Sequence, residues 1–243
     1  LIVTTFFFSK WSIFKKILND KKKLFILFIS GFLIFINWGV WIYAVSVDKI
    51  IDASFGYFIM PIISVFLGNF FFKEPITKKG KISIFLVIIS VSYLLIIDFN
   101  SIPWVGLIVA LSWSFYNLFR KKINVETDIG LLIESLYILP FVLVAFYFIS
   151  INNYNDFSLS NPSLMPLLML AGPMTVIPLF LYVRGVELAG LGPAGMIFYI
   201  TPTLQFILGF FIYNEQFNIN QLVSFILIWI AVFIYLKDIY EKN

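Results

Sequence analysis

The sequence predicts an all-α polytopic membrane protein, and three observations predict it. The 243 residues are 61% hydrophobic and only 12% charged, where a soluble domain has about 45–50% and about 25%. One globule cannot bury that surplus, because surface-to-volume scaling turns much of a soluble chain outward. The mean hydropathy of +0.98 agrees. The apolar residues also fall into continuous runs of about 20, the length that spans a bilayer core about 30 Å thick. Finally, when those runs are alternated across a membrane, sixteen of the 17 Lys and Arg residues fall on one side.

Eight runs can be read in order: 24–47, 53–73, 82–98, 103–119, 129–150, 164–183, 190–213 and 219–236. The first opens after Lys21-Lys22-Lys23, and the fourth closes at Arg120-Lys121-Lys122. Pro166, Pro173 and Pro178 predict that the sixth is kinked or broken, as a moving gate would be and as static membrane helices often are. Segment 1–9 is apolar but too short to span, and the longest stretch between runs, 151–163, leaves no room for an inserted soluble domain. The runs are continuous, so they read as helices rather than the alternating strands of a membrane barrel.

With the loop 10–23 in the cytoplasm, Lys73, Lys78, Lys79, Lys81, Arg120, Lys121, Lys122, Arg184, Lys237 and Lys242 fall on the same side. Lys49 alone falls outside. The positive-inside rule then predicts a multi-pass protein of the cell (inner or plasma) membrane with a cytoplasmic C-terminus.

An internal repeat organises the spans. Shifted by 141 residues, Ala53, Ile59, Pro61, Leu67, Gly68, Phe70 and Glu74 fall on Ala194, Ile200, Pro202, Leu208, Gly209, Phe211 and Glu215. Seven of 22 ungapped positions are identical, and the set includes Pro, Gly and Glu. The second half holds five helices, an odd number, so its partner half must be inserted upside down, as in many secondary transporters. The expected fold is a ten-helix bundle of two inverted five-helix repeats, 1–98 and 103–238, lacking the first helix and most of the second. The same shift carries Trp104 to a position upstream of Leu1, and one helix and most of a second, about 40 residues, are expected before it.

Two stretches carry a family resemblance. One is Asn37-Trp38 with Tyr43-Ala44-Val45, followed by Ala53-Ser54-x-Gly56-Tyr57-Phe58-Ile59-x-Pro61. The other is Ser114-Phe115-Tyr116 with Arg120-Lys121-Lys122-Ile123-x-Val125-Glu126, Gly130-x-Leu132-Ile133-Glu134 and Leu139-Pro140. They resemble the RarD branch of the EamA-like permeases, in the drug/metabolite transporter superfamily. The branch is often labelled chloramphenicol-sensitive protein, and the resemblance implies ten helices in two inverted halves and a plasma-membrane permease. Met60, Asn117 and Arg184-Gly-Val-Glu187 depart from the branch pattern.

Polar and aromatic residues within the spans are the candidate substrate-binding set. Asn37, Trp38 and Trp41 lie near the middle of the first run, where tryptophans are not interfacial anchors. Trp113, Tyr116 and Asn117 form a similar group, with anchoring above Arg120-Lys121-Lys122 as the other reading. Tyr57, Pro61, Ser64 and Gly68 share one helical face, and the repeat carries the stripe to Phe198, Pro202, Gln205 and Gly209. Tyr57, Tyr199 and Gln205 join the binding set. Pro61, Pro202, Pro173 and Pro178 are the kink or gate positions, and packing is the competing reading for the Gly and Pro positions.

Glu134 stands out because an acid in a span is costly and normally faces protein or water. It lies one turn inside the run that starts near Ile129, on a face continuing through Tyr137 and Phe141. It is the proton-coupling candidate, or a site for a cationic group. The alternative is a carboxylate favoured by the helix dipole and paired with Arg120 or Lys121. Glu74 and Glu215 precede the runs 82–98 and 219–236 and read as caps.

These features point to a secondary transporter of a small organic metabolite or drug, amino-acid-like in the leading reading, working by alternating access. A channel would want rings of charge or carbonyls, which no span carries. A membrane enzyme would need acid/base pairs that a chain without His or Cys and with one embedded acid cannot assemble. A non-transporting scaffold remains the other alternative. No P-loop, metal site or cofactor motif is present. The expected partners are a small-molecule substrate and the lipid bilayer, with no nucleic acid, and a homodimer is left open.

Overall fold

The computed structural model describes residues 10–47, 49–98, 103–152, 164–211 and 219–241. Among them every regular element is a helix. They are α1 (Trp11–Leu18), α2 (Lys21–Ser46), α3 (Ile50–Phe72), α4 (Lys78–Asp98), α5 (Trp104–Ile123), α6 (Thr127–Ile151), α7 (Leu164–Ala189), α8 (Leu191–Ile197), α9 (Ile200–Phe211) and α10 (Ile219–Tyr240). Six of these helices, α2, α3, α4, α6, α7 and α10, are long and apolar enough to cross a membrane. The chain is therefore a polytopic helical membrane protein.

Three boundaries differ from the sequence reading, each for a local reason. Segment 10–23, read as a loop, contains α1, where Trp11, Phe14, Ile17 and Leu18 recur at helical spacing and Ile17 is buried. The run 103–119 extends as α5 to Ile123, and Asn117, Arg120, Lys121 and Lys122 within it keep α5 out of the span class. The run 190–213 is not one helix, because it breaks at Phe198–Tyr199. Pro202 has no N–H to offer the Phe198 carbonyl four residues back. The Thr201 N–H takes that carbonyl at 2.9 Å, and the Tyr199 N–H turns to the Met196 carbonyl at 3.3 Å, so the ladder tightens at the break. The sixth run, by contrast, stays continuous as α7 through both Pro173 and Pro178.

The chain divides into two compact units, Leu1–Phe35 with Phe119–Leu188 and Ile36–Leu118 with Ala189–Asn243. In the first, Ile17 and Leu27 pack with Ile123, Val125, Ile129 and Ile133, joining α1 and α2 to the α5–α6 turn. Lys10 Nζ sits 2.7 Å from both Glu126 and Asp128, which ties the start of α1 to the same turn. Partial burial pulls the Lys10 ammonium down, yet its bonds to Asp128 and Glu126 leave its pKa above the ordinary lysine value.

The second unit has a core of α3, α4, α8 and α10 side chains, including Phe55, Val65, Val87, Met196, Phe225 and Ile228. Between apolar helices in lipid, close packing and hydrogen bonds replace hydrophobic burial as the adhesive. Helices α4 and α10 are laced accordingly. Thr77 donates to Asp238 at 2.6 Å, Ser83 to the Ala231 carbonyl, Ser90 to the Ser224 carbonyl at 2.9 Å and Tyr93 to Asn220 at 3.0 Å.

Candidate functional site

Two groupings of candidate residues emerge, one in each unit. In the second unit, rings from three helices and a helix junction form a row. Trp41 of α2 lies 5.3 Å from Tyr57 of α3, and Tyr57 lies 5.7 Å from Phe198 at the α8–α9 break. Phe198 lies 5.8 Å from Trp113 of α5, which is 6.1 Å from Tyr116. Pro202 produces the break that leaves Phe198 outside both helices, so a backbone feature sets the middle of the row. Such spacings suit aromatic pairs, and a wall of rings with a few polar groups is a common lining for small organic ligands.

The other candidates of that unit have defined places. Asn37 is buried and donates from Nδ2 to the Val109 carbonyl at 2.9 Å and to Ser112 Oγ at 3.0 Å, tying α2 to α5. Asn117 is fully buried on α5. The buried Tyr199 hydroxyl donates to the Phe58 carbonyl at 2.8 Å. Trp38, 39% exposed, is not brought into the row. The side chain of Gln205, and Glu215 altogether, lie outside the described residues.

Glu74 does cap a helix, but not the one that follows it. Its two carboxylate oxygens accept the N–H groups of Leu191 and Gly192, each at 2.9 Å, at the start of α8. Gly190 enters that cap with φ of +101°, a conformation side chains disfavour, and a Cβ there would meet the Glu74 carboxylate.

The first unit holds a buried charge cluster around Glu134. Helix α5 ends at Ile123, Asn124 turns the chain with φ of 49°, and α6 begins at Thr127. This short reversal lays Arg120, one turn before the end of α5, against Gly130, one turn into α6. A Cβ at Gly130 would collide with the Arg120 guanidinium, so the glycine leaves the space that the guanidinium occupies. Arg120 is fully buried, with Nε 3.6 Å from Glu134 Oε1 and Nη2 3.6 Å from Glu187 Oε1. Nη2 also reaches the Thr127 carbonyl at 3.4 Å. Glu187 Oε2 accepts from Thr127 Oγ1 at 2.7 Å and from Arg184 Nη1 at 3.1 Å. Glu134, 3% exposed, is 2.5 Å from Ser30 Oγ on α2. Two carboxylates therefore share one guanidinium that water does not reach.

Because α6 starts at Thr127 rather than near Ile129, Glu134 lies two turns in, beyond the first turn over which a helix dipole acts. Its pairing with Arg120 is found as a geometric fact. One turn on, Tyr137 stacks edge-on against Phe28 at 5.5 Å, and Phe141 lies 6.4 Å from Phe35. Sequence reasoning missed the burial of Arg120 and its approach to Glu187, having read Arg120 as a loop charge. Thr127, Gly130 and Glu134 at i, i+3 and i+7 were the available signal, a polar and small stripe facing the end of α5. It also left Phe198 and Ser30 off the binding set.

The fold defines a multi-pass helical membrane protein, and the aromatic row and the ionic cluster are its two groupings of candidate residues. Comparison with known proteins gives the family. The EamA-like transporter family matches residues 1–96 and 101–237. Protein RarD of Escherichia coli (strain K12) is 33% identical over 98% of this chain and 82% of that protein. Protein RarD of Salmonella typhi is 34% identical over 98% and 83%, respectively. An uncharacterized transporter of Bacillus subtilis (strain 168), YojE, is 32% identical over 97% and 79%. The chain belongs to the EamA-like transporter family, in its RarD branch.

Proposed function

We propose that the protein is a secondary carrier of a small organic metabolite, amino-acid-like in its leading reading, that works by alternating access between two inverted five-helix repeats. The observation that carries the proposal is the row Trp41–Tyr57–Phe198–Trp113–Tyr116. Tyr57 and Phe198 are repeat equivalents, 141 residues apart, and their rings are in contact. Contact between equivalent positions is what two helices related by an in-plane pseudo-two-fold would make at their axis, where carriers of this design bind substrate. The row is the proposed substrate wall, with Asn37 and Asn117 as buried polar groups on α2 and α5. Pro61, Pro202, Pro173 and Pro178 are the proposed kink positions that let helices bend between states.

Glu134 is the proposed proton-coupling group, in a cluster on the proposed cytoplasmic side. A buried acid beside a guanidinium that also reaches a second acid is well suited to take up a proton. Counterflow of labelled amino acids and related metabolites in proteoliposomes, with and without an imposed pH gradient, tests the proposal. Saturable exchange of one class supports a carrier. Exchange that ignores the gradient removes Glu134 from the coupling role.

A further inference from the structure

The buried cluster contains a conflict of hydrogen-bond inventory. Ser30 Oγ has one proton and two acceptors within reach, the Leu27 carbonyl at 3.1 Å and Glu134 Oε1 at 2.5 Å. An O···O separation of 2.5 Å requires a hydrogen between the two oxygens. When Ser30 points its proton at Leu27, that hydrogen has to come from Glu134. When Glu134 is ionised, Ser30 supplies it and the Leu27 carbonyl keeps only its helical partner. The site therefore accommodates both protonation states of Glu134 without moving a heavy atom.

We propose that Ser30, Arg120 and Glu187 are positioning residues that set the proton affinity of Glu134, with Arg120 shared between two carboxylates as the switching element. The proposal rests on the reading of Glu134 as the proton site. In the ionised state Ser30 donates to Glu134, and Arg120 balances Glu134 through Nε and Glu187 through Nη2. Uptake of one proton at Glu134 Oε1 makes that oxygen the donor to Ser30 Oγ. Ser30 turns its own proton to the Leu27 carbonyl, and the guanidinium charge falls to Glu187. No other group gains or loses a proton.

The charged groups around Glu134 support this division of labour. From α5 it faces Arg120, and from α7 the cluster is closed by Glu187, which Arg184 and Thr127 also hold. On α6 itself, Asp128 is engaged by Lys10. From α2 the backbone at Gly31 approaches so closely that a Cβ would touch Glu134 Cα and Cβ at 3.4 Å, and Ser30 of the same helix reaches the carboxylate. Ser30 thus stabilises the ionised form by donation, whereas Glu187 disfavours it by repulsion and by competing for Arg120.

The two influences have opposite signs, which makes the proposal testable without a substrate. Infrared difference spectroscopy of the full chain in proteoliposomes would follow the protonated carboxyl stretch against pH, with its loss in Glu134→Gln assigning the band. Ser30→Ala should raise the titration midpoint and Glu187→Gln should lower it, each by about one pH unit, a tenfold change in proton affinity. Both substitutions remove little or no volume, and retained thermal unfolding of each variant reports that the fold is kept. Shifts of the same sign, no shift in either folded variant, a band that survives Glu134→Gln, or no titrating band at all would overturn the proposal. Opposite shifts in protein that fails to exchange metabolites would leave this switch standing and overturn the carrier reading. Gradient-driven exchange without the shifts would do the reverse.

Discussion

The hydroxyl of Tyr199 donates to the backbone carbonyl of Phe58 at 2.8 Å, and the two residues are equivalent positions of the internal repeat, 141 apart. The neighbouring equivalents Tyr57 and Phe198 are in ring contact. Both contacts join α3 to the α8–α9 break, so these positions meet where Pro202 interrupts a helix. Replacing Tyr199 with Phe removes the donor while keeping the ring. The expected cost is about 0.5–1.5 kcal/mol, the range for one buried hydrogen bond between helices. A lowered midpoint of thermal unfolding in detergent checks it, and an unchanged midpoint would show that the bond does not hold the junction.

Arg120 and Gly130 should behave as a coupled pair. Gly130→Ala places a methyl group in the guanidinium, an overpacking expected to cost about 1–3 kcal/mol. Arg120→Ala removes the guanidinium from the buried Glu134 and from the part-buried Glu187 and should cost about 3–5 kcal/mol. In the double variant the Gly130→Ala penalty should vanish, because the colliding group is gone. Unfolding midpoints of the four proteins in a double-mutant cycle measure this. Additive costs would contradict the packing described.

Glu74→Gln tests the cap at α8. The amide can still accept one N–H but brings no charge to the helix start, so a loss of about 1 kcal/mol is expected. The loss should be confined to the second unit. Hydrogen exchange at Leu191 and Gly192 should rise while that at Gly130 stays unchanged, which a global loosening would not produce.

The tether of α1 has a defined pH dependence. The pKa of Lys10 is raised above the ordinary 10.5, so its contribution is complete below the unfolded value and is lost as pH rises through the folded one. Across the neutral range up to about pH 9 the tether should be constant, and strong alkali should release it. Fluorescence of Trp11, on the first turn of α1, should therefore stay flat across the neutral range in a variant in which Trp11 is the only tryptophan. A transition near neutral pH would contradict the assignment.

Much of this architecture was legible because hydropathy is a long, redundant signal. The spans α2, α3, α4, α6, α7 and α10 each announce themselves through about 20 apolar residues. What was hidden depends on single residues acting across the chain. Helix α1 was masked by lysines that sit between its apolar positions. The break at Phe198–Tyr199 turns on one missing N–H at Pro202, in a stretch whose apolar run continues unbroken. Arg120 lies beside two lysines and reads as a cytoplasmic loop charge, because nothing in its own neighbourhood says that the α5–α6 turn will fold it inward. Only Gly130 and Glu134, ten and fourteen residues later, carry that information. Glu74 likewise looked like a cap because it is acidic at a helix boundary, but which helix it caps is a tertiary fact.

The most direct test of the carrier assignment compares exchange by wild type, Tyr57→Ala and Trp38→Ala in proteoliposomes loaded with a panel of labelled small metabolites. Tyr57 lies within the aromatic row, whereas Trp38 neighbours it in sequence and stands outside it. The account predicts saturable exchange of one metabolite class by wild type. It predicts a KM raised about tenfold, the equivalent of about 1.4 kcal/mol of lost contact, for Tyr57→Ala, and no change for Trp38→Ala. Absence of exchange from folded protein across the whole panel, or equal damage from the two substitutions, would contradict it.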